Sequence, residues 1–367
     1  MQKVSFIIVA LNADNAISFS LGSLAKQDYP HDLIEVILVD SCSQDRTRQV
    51  MLDFKENDKS FARVAVLDNP KRYLACGWNV ALKEVKGDIV IRVDAHTLFP
   101  EDFISKNVKL IDEGKDICGG RVMSILQKDT PWNRALLSAE NSMFGGGFTF
   151  FRRGEISRYT DTLAFAAYRK VVFDAVGPYD ERLVRTEDNE MHYRMRRAGY
   201  RFFFTPDIVS YRYNRNSLKG LFRQKYMNGY WVGLTHAVSP MAFSVYYLVP
   251  LMFLLSLIVL ILLCFFTPWP LIVMLTFYSF LLMFALIVAI IKDGFYWPIL
   301  VLPFIIMGLH LCYGVGTAIG LYKEGIMNNS KYCKKGTFSM FVYKLSALFS
   351  IPAKSIVWVY RLTFCKE

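Results

Sequence analysis

Val4–Leu11 is a run of mainly aliphatic and β-branched residues, the pattern of a strand covered on both faces. A polar turn at Asn12–Asn15 follows, then a helical stretch to about Lys26. The alternation repeats, predicting strands at Glu35–Asp40, Arg63–Leu67 and Asp88–Val93 and helices at Gln44–Asn57 and Ala75–Val85. Such a succession predicts βαβ units and an α/β, Rossmann-like, mostly parallel sheet. From about Cys118 the pattern loosens, with a predicted flexible loop at Gly145–Gly147 beside the aromatic cluster Phe148–Phe151. Thr186–Ala198 reads as a helix, with Thr186 as its N-cap and Gly199 beyond its end. Asn216–Trp231 reads as a helix at a membrane surface. Ala242–Phe266, Leu271–Ile291 and Phe295–Leu321 are each long enough to cross a hydrocarbon core, which takes roughly 20 residues. Phe338–Tyr360 is amphipathic, interrupted by Lys344 and Lys354, and reads as interfacial.

Charge sharpens this division. The 367 residues carry a net charge of +11, yet residues 1–207 hold 29 basic and 29 acidic side chains. The surplus lies in Arg212–Lys225 and in the tail from Lys323, both flanking apolar runs. A nucleic-acid binder carries its excess on the folded domain, so no nucleic acid is expected; a lipid bilayer is the partner this placement predicts. Four stretches follow: a catalytic domain at 1–211, an interfacial segment at 212–240, about three transmembrane helices at 241–322 and a basic tail at 323–367. Three crossings would set that tail opposite the catalytic domain, whereas the positive-inside bias favours the same side. The seven cysteines form no CxxC pair, which predicts reduced thiols and a cytosol-facing catalytic domain. Met1–Leu11 meets Asn12 and Asp14 without a cleavage pattern and reads as a strand rather than a signal peptide.

In open α/β sheets ligands gather outside the carboxyl ends of the strands. That rule nominates the turns at Asn12–Asp14, Asp40–Ser43, Asn69–Arg72 and Asp94–His96. No GxGxxG or Walker loop occurs. Ile89–His96 delivers Asp94 and, two positions on, His96 into the crevice. A carboxylate and an imidazole suit a divalent cation that also holds a diphosphate; a solvated turn is the plainer reading. Asp40 ends the second strand, where it can accept from the N3–H of a uracil-like base or simply form an Asx turn.

The succession Ile8-Val-Ala-Leu-Asn12, Val39-Asp-Ser-Cys-Ser-Gln-Asp-Arg-Thr47, Val93-Asp-Ala-His96 and Thr186-Glu-Asp188 resembles family 2 glycosyltransferases of the GT-A fold. Tyr168-Arg-Lys170, Val176-Gly-Pro-Tyr-Asp180, Arg197-Ala-Gly-Tyr200 and His310-Leu-Cys-Tyr-Gly-Val-Gly316 resemble, more narrowly, bacterial exopolysaccharide transferases of the succinoglycan type. The likeness spans about residues 3–236 and, more loosely, the membrane part.

The resemblance implies that Asp40, with Ala10, Asn12 and Asp14, holds the base and ribose of a nucleotide sugar, with UDP favoured. Asp94 and His96 would occupy the DxD site, binding Mn²⁺ or Mg²⁺; histidine in place of the second aspartate departs from the wider pattern. Asn79 would sit near the sugar, and Lys71 and Arg72 would meet phosphate or solvent. Asp188 would be the catalytic base of an inverting displacement, with Glu187 as its rival. His192, one helical turn beyond Asp188, is either a phosphate or metal contact or an ordinary half-exposed histidine. Arg223, Gln224 and Lys225 stand where relatives carry a Gln-x-x-Arg-Trp-like element; Met227 and Asn228 replace its Arg and Trp, which disfavours a processive synthase. Those basic side chains would grip donor or acceptor phosphates or anchor the interface. His310 would be neutral and hydrogen-bonded.

The implied activity is transfer of one sugar to a polyprenyl-diphosphate-linked saccharide at the cytoplasmic face of a bacterial inner membrane. The rival readings are a polyprenyl-phosphate sugar synthase and a membrane scaffold with a degenerate transferase domain.

Overall fold

The computed structural model describes residues 1–145, 150–152, 154–239, 241–242 and 244–326. The predicted helix at Phe338–Tyr360 and most of the Gly145–Phe151 loop lie outside the described residues. The chain divides into two units, one formed by Met1–Gln127 with Thr149–Asn214, the other by the segment from Lys128 and the chain from Arg215 onward.

In the first unit the apolar runs become β1 (Val4–Ala10), β2 (Ile34–Asp40), β3 (Arg63–Asp68) and β4 (Ile89–Asp94). Helices α1 (Asp14–Leu24), α2 (Thr47–Asn57) and α3 (Leu74–Leu82) connect them. These strands pair in parallel, in the order β3-β2-β1-β4. Every residue of β1 and β2 is buried because both sheet faces are covered. Parity divides them: Phe6, Ile8, Val36 and Leu38 enter one apolar cluster, Ile7, Val9, Ile37 and Val39 the other.

Beyond β4 the sheet becomes mixed. It takes in β5 (Thr97–Leu98), β6 (Ile117–Ile125), β7 (Arg158–Thr160), β8 (Ala167–Arg169) and β9 (Phe202–Tyr213), with helices α4 (Phe103–Asp112), α6 (Lys170–Val176) and α7 (Glu187–Arg197) around it. β8 runs antiparallel to both β4 and β6, whereas β6 and β9 are parallel. The β6–β9 register shifts between Gly120 and Arg121. A Cβ at Gly120 would collide with the carbonyl of Ile208, so only glycine fits beside that irregularity.

The second unit contains α5 (Pro131–Asn141), α8 (Leu218–Val238), α9 (Val249–Leu263), α10 (Trp269–Asp293) and α11 (Leu302–Gly320). Among the described residues, three stretches are long and apolar enough to cross a membrane: Val245–Leu263, Trp269–Asp293 and Trp297–Lys323. α8 runs along α11. Gly229-Tyr-Trp-Val-Gly233 and Gly316-Thr-Ala-Ile-Gly320 form reciprocal small-xxx-small pairs. A Cβ at Gly229 would strike the Tyr313 carbonyl, and Cβ atoms at Gly316 and Gly320 would strike those of Tyr226 and Tyr230. The interfacial helix expected around Asn216–Trp231 is therefore part of a close helix pair. On α11, His310 bonds Tyr278 Oη through Nδ1 at 2.8 Å and the Phe144 carbonyl through Nε2 at 2.6 Å. A carbonyl only accepts, so Nε2 carries a proton, and both ring nitrogens are hydrogen-bonded.

Candidate active site

The parallel strands end together. In register, Ala10 lies beside Asp40 and Val9 beside Asp94, so three adjacent strands bring the two aspartates to one edge, about 10 Å apart by strand spacing. The turns after β1 and β2 are latched to each other. Asn12, held at φ 49°, accepts from the Gln44 N–H at 2.8 Å and donates its own N–H to Ser43 Oγ at 3.0 Å. The Ala13 N–H donates to Thr47 Oγ1 at 2.7 Å and that of Asp14 to Asp45 Oδ2 at 3.2 Å. Asp40 is buried, accepts from the Ser43 N–H at 3.2 Å and faces the Arg48 guanidinium at 4.0 Å.

Asp94 is half-buried and His96 is exposed in the two-residue turn between β4 and β5. Among the described residues neither side chain has a hydrogen-bonding or ionic partner, and no group of three or more His, Cys, Asp or Glu is placed to hold a metal. A two-ligand site leaves the other coordination positions to phosphate oxygens and water, which fits a diphosphate-bound Mn²⁺ or Mg²⁺.

Glu187 and Asp188 open α7. Their entry turn differs from the expected cap: Thr186 occupies the N-cap at φ 69°, and its hydroxyl turns back to the Arg185 carbonyl instead of capping the helix. The two carboxylates have different surroundings. Glu187 is 4% exposed, whereas the Asp188 side chain is 31% exposed. Burial, reinforced by the neighbouring Asp188 charge, pushes Glu187 up to about 8, against the opposing pull of Arg92. Asp188 Oδ1 accepts from the backbone and side-chain amides of Asn189, each at 2.8 Å, and Oδ2 lies 3.8 Å from Arg92 Nη2.

Other expected contacts are already engaged. Lys71 pairs with Glu181 at 2.6 Å. Asn79 donates to the Tyr179 carbonyl and to Glu181 Oε1, and accepts from the Tyr179 N–H. His192 is not half-exposed and faces neither phosphate nor metal. It is fully buried, bonded at 2.8 Å to Thr162 Oγ1 and at 2.8 Å to Tyr168 Oη, and packed against the Phe202 ring. Arg223, Gln224 and Lys225 lie on α8 of the second unit, with Arg223 exposed and Lys225 buried among partners. The pattern of the sequence missed Arg92, which reads only as the interior of a strand, and Tyr179 and Glu181 beyond α6.

A mixed curled sheet with an acidic carboxyl edge and three apolar helices after it defines a GT-A glycosyltransferase architecture. Residues 5–177 match the family model described as Glycosyl transferase family 2. The match ends before Glu187 and Asp188. The succinoglycan biosynthesis protein ExoA of Rhizobium meliloti is 32% identical over 198 residues, 53% of this chain and 58% of that protein. The chain thus spans little more than half the length of that relative. A Methanococcus voltae protein, dolichyl N-acetyl-α-D-glucosaminyl phosphate 3-β-D-2,3-diacetamido-2,3-dideoxy-β-D-glucuronosyltransferase, is 24% identical over 265 residues, 70% of this chain and 81% of its own. The mannosyltransferase PcManGT of Pyrobaculum calidifontis, solved with GDP-Man and Mn²⁺, shares the fold at a TM-score of 0.59, with 19% identity and 88% of each chain covered.

Proposed function

We propose that the protein is an inverting, metal-dependent glycosyltransferase that moves one sugar from a nucleotide-diphosphate sugar to a polyprenyl-diphosphate-linked saccharide during surface-polysaccharide assembly. The observation that carries the reading is one solvent-reachable carboxylate, Asp188, paired with a cation on the strand that ends in Asp94. Asp40 and the Ala10–Asp14 turn bind the nucleoside, with uracil favoured. Asp94 and His96 hold Mn²⁺ or Mg²⁺, which neutralises charge growing on the departing diphosphate.

Asp188 takes the proton of the acceptor hydroxyl as its oxygen bonds to the anomeric carbon; the bond from that carbon to the diphosphate breaks on the opposite face. Glu187, buried and protonated over much of the neutral range, is the poorer base. A lipid-linked acceptor accords with the three apolar helices and with the dolichyl compound in the name of the Methanococcus relative. The catalytic domain faces the cytoplasm at the inner membrane, where nucleotide sugars are made.

The test is a panel of nucleotide sugars offered to membranes containing the full chain, with polyprenyl-diphosphate-linked saccharides as acceptors and products read by mass spectrometry. One added hexose-type unit on the saccharide is expected. Transfer only to a bare polyprenyl phosphate would replace this acceptor assignment with that of a lipid-phosphate sugar synthase.

A further inference from the structure

Arg92 is a costly residue for its position. It lies within β4, 8% exposed, on the sheet face that also presents Val90 to the cluster containing Trp78 and Tyr179. An aliphatic side chain there would avoid desolvating a cation, and replacing buried charges by apolar groups often leaves stability unharmed. Stability alone therefore does not explain a guanidinium at this site.

Its surroundings fix it tightly. The guanidinium carbon sits 5.0 Å from the Trp78 ring centroid and 5.5 Å from that of Tyr179, and Nη1 donates to Tyr179 Oη at 3.1 Å. Tyr179 is in turn held through its backbone by Asn79. The remaining arm, Nη2, reaches Asp188 Oδ2 at 3.8 Å. Trp78, Tyr179 and Asn79 thus form a seat, and among the described residues the carboxylate within 4 Å of the seated cation is that of Asp188.

We propose that Arg92 is a positioning residue for transfer: it holds the Asp188 carboxylate from behind, so that its exposed side points at the acceptor hydroxyl. This rests on the reading of Asp188 as the base. β4 then serves both halves of the reaction, with Asp94 at its end for the donor and Arg92 two residues earlier on the same face for the base. A fixed charge on a strand orients a carboxylate better than the mobile end of a surface side chain does.

The test compares Arg92→Met, Arg92→Lys and Tyr179→Phe in the full chain in detergent, reading kcat, donor KM and thermal unfolding. Arg92→Met is expected to lower kcat by about 100-fold, the scale of a small misplacement of a reacting group, with donor KM within about 3-fold of the parent. Arg92→Lys restores part of that loss because it returns the charge without the fork. Tyr179→Phe frees one arm of the guanidinium, lowers kcat by a smaller factor, and adds little when combined with Arg92→Met.

If Arg92→Met does not fold, the Arg92→Lys and Tyr179→Phe measurements decide. Parental kcat in the folded variants overturns the proposal, as does a loss confined to unfolding temperature or to donor KM. Asp188→Asn is assayed alongside. Retained turnover in Asp188→Asn refutes the underlying base assignment, whereas an inactive Asp188→Asn beside fully active Arg92 and Tyr179 variants refutes the positioning role alone.

Discussion

Asn79 and Tyr179 are joined through both edges of one amide: Asn79 Nδ2 donates to the Tyr179 carbonyl at 3.0 Å, and Asn79 Oδ1 accepts from the Tyr179 N–H at 2.8 Å. The side chain imitates a neighbouring strand, tying α3 to the segment that carries Tyr179 and Glu181. Asn79→Ala leaves a buried backbone N–H and carbonyl unpaired, and each such group costs about 1–3 kcal/mol. A loss of about 3 kcal/mol in unfolding free energy is expected, measured by denaturant titration of the full chain in detergent. A loss below about 0.5 kcal/mol would show that the segment is held by other contacts.

His192 gives a pH signature. Burial, followed by the nearby Arg92 and Arg196 charges, lowers its proton affinity well below the ordinary value of 6.5. The unfolded chain therefore takes up a proton that the folded chain refuses. The stability this group contributes is whole above pH 6.5 and is lost as pH falls below it, by about 1.4 kcal/mol per pH unit. His192→Gln should flatten that acid slope by about one proton. An unchanged slope from pH 6.5 to 5 would contradict the buried, neutral imidazole.

Glu187 has the opposite sign. Its folded proton affinity is raised, so its contribution is whole below the ordinary carboxylate value of 4.5 and is lost as pH climbs through about 8. Glu187→Gln should gain stability over the parent as pH rises above 4.5, with the gain levelling off beyond about 8. It should also retain far more turnover than Asp188→Asn. Equal inactivation of the two would restore Glu187 as a candidate base.

Two glycines should respond in opposite directions. Gly320 packs against the Tyr230 carbonyl, so Gly320→Val must separate α8 from α11, at a cost of about 2 kcal/mol in detergent unfolding. Gly22 lies exposed within α1 with open space where a Cβ would go, and Gly22→Ala should add roughly 0.5–1 kcal/mol. Similar shifts from both would show that the α8–α11 contact is loose.

The sequence was most legible where burial is two-sided. The runs giving β1, β2 and β4 were bounded to within a residue, because a strand covered on both faces is mostly apolar along its length. β6 and β9 were not legible: Gly119 and Gly120 interrupt the apolar run of the first, and the length of the second comes from pairing with β5, β6 and β7. β7 and β8, three residues each, carry no period to read. Asp188 came only from the family resemblance, whereas Asp40, Asp94 and His96 could be nominated because strand ends are visible in the pattern. The burial of His192 could not, since Thr162 and Tyr168 are distant in sequence. Arg92 was hidden because its partners, Trp78, Tyr179 and Asp188, meet it only in the folded sheet.

The most direct measurement sets donor binding beside turnover in a single substitution, Asp188→Asn, with titration of the nucleotide sugar in the presence of Mn²⁺ followed by transfer to the lipid-linked acceptor. Donor affinity within about 3-fold of the parent, with turnover lowered by about 10²- to 10⁴-fold, is the result predicted for a general base that does not hold the donor. Turnover close to the parent's at undiminished affinity would contradict it.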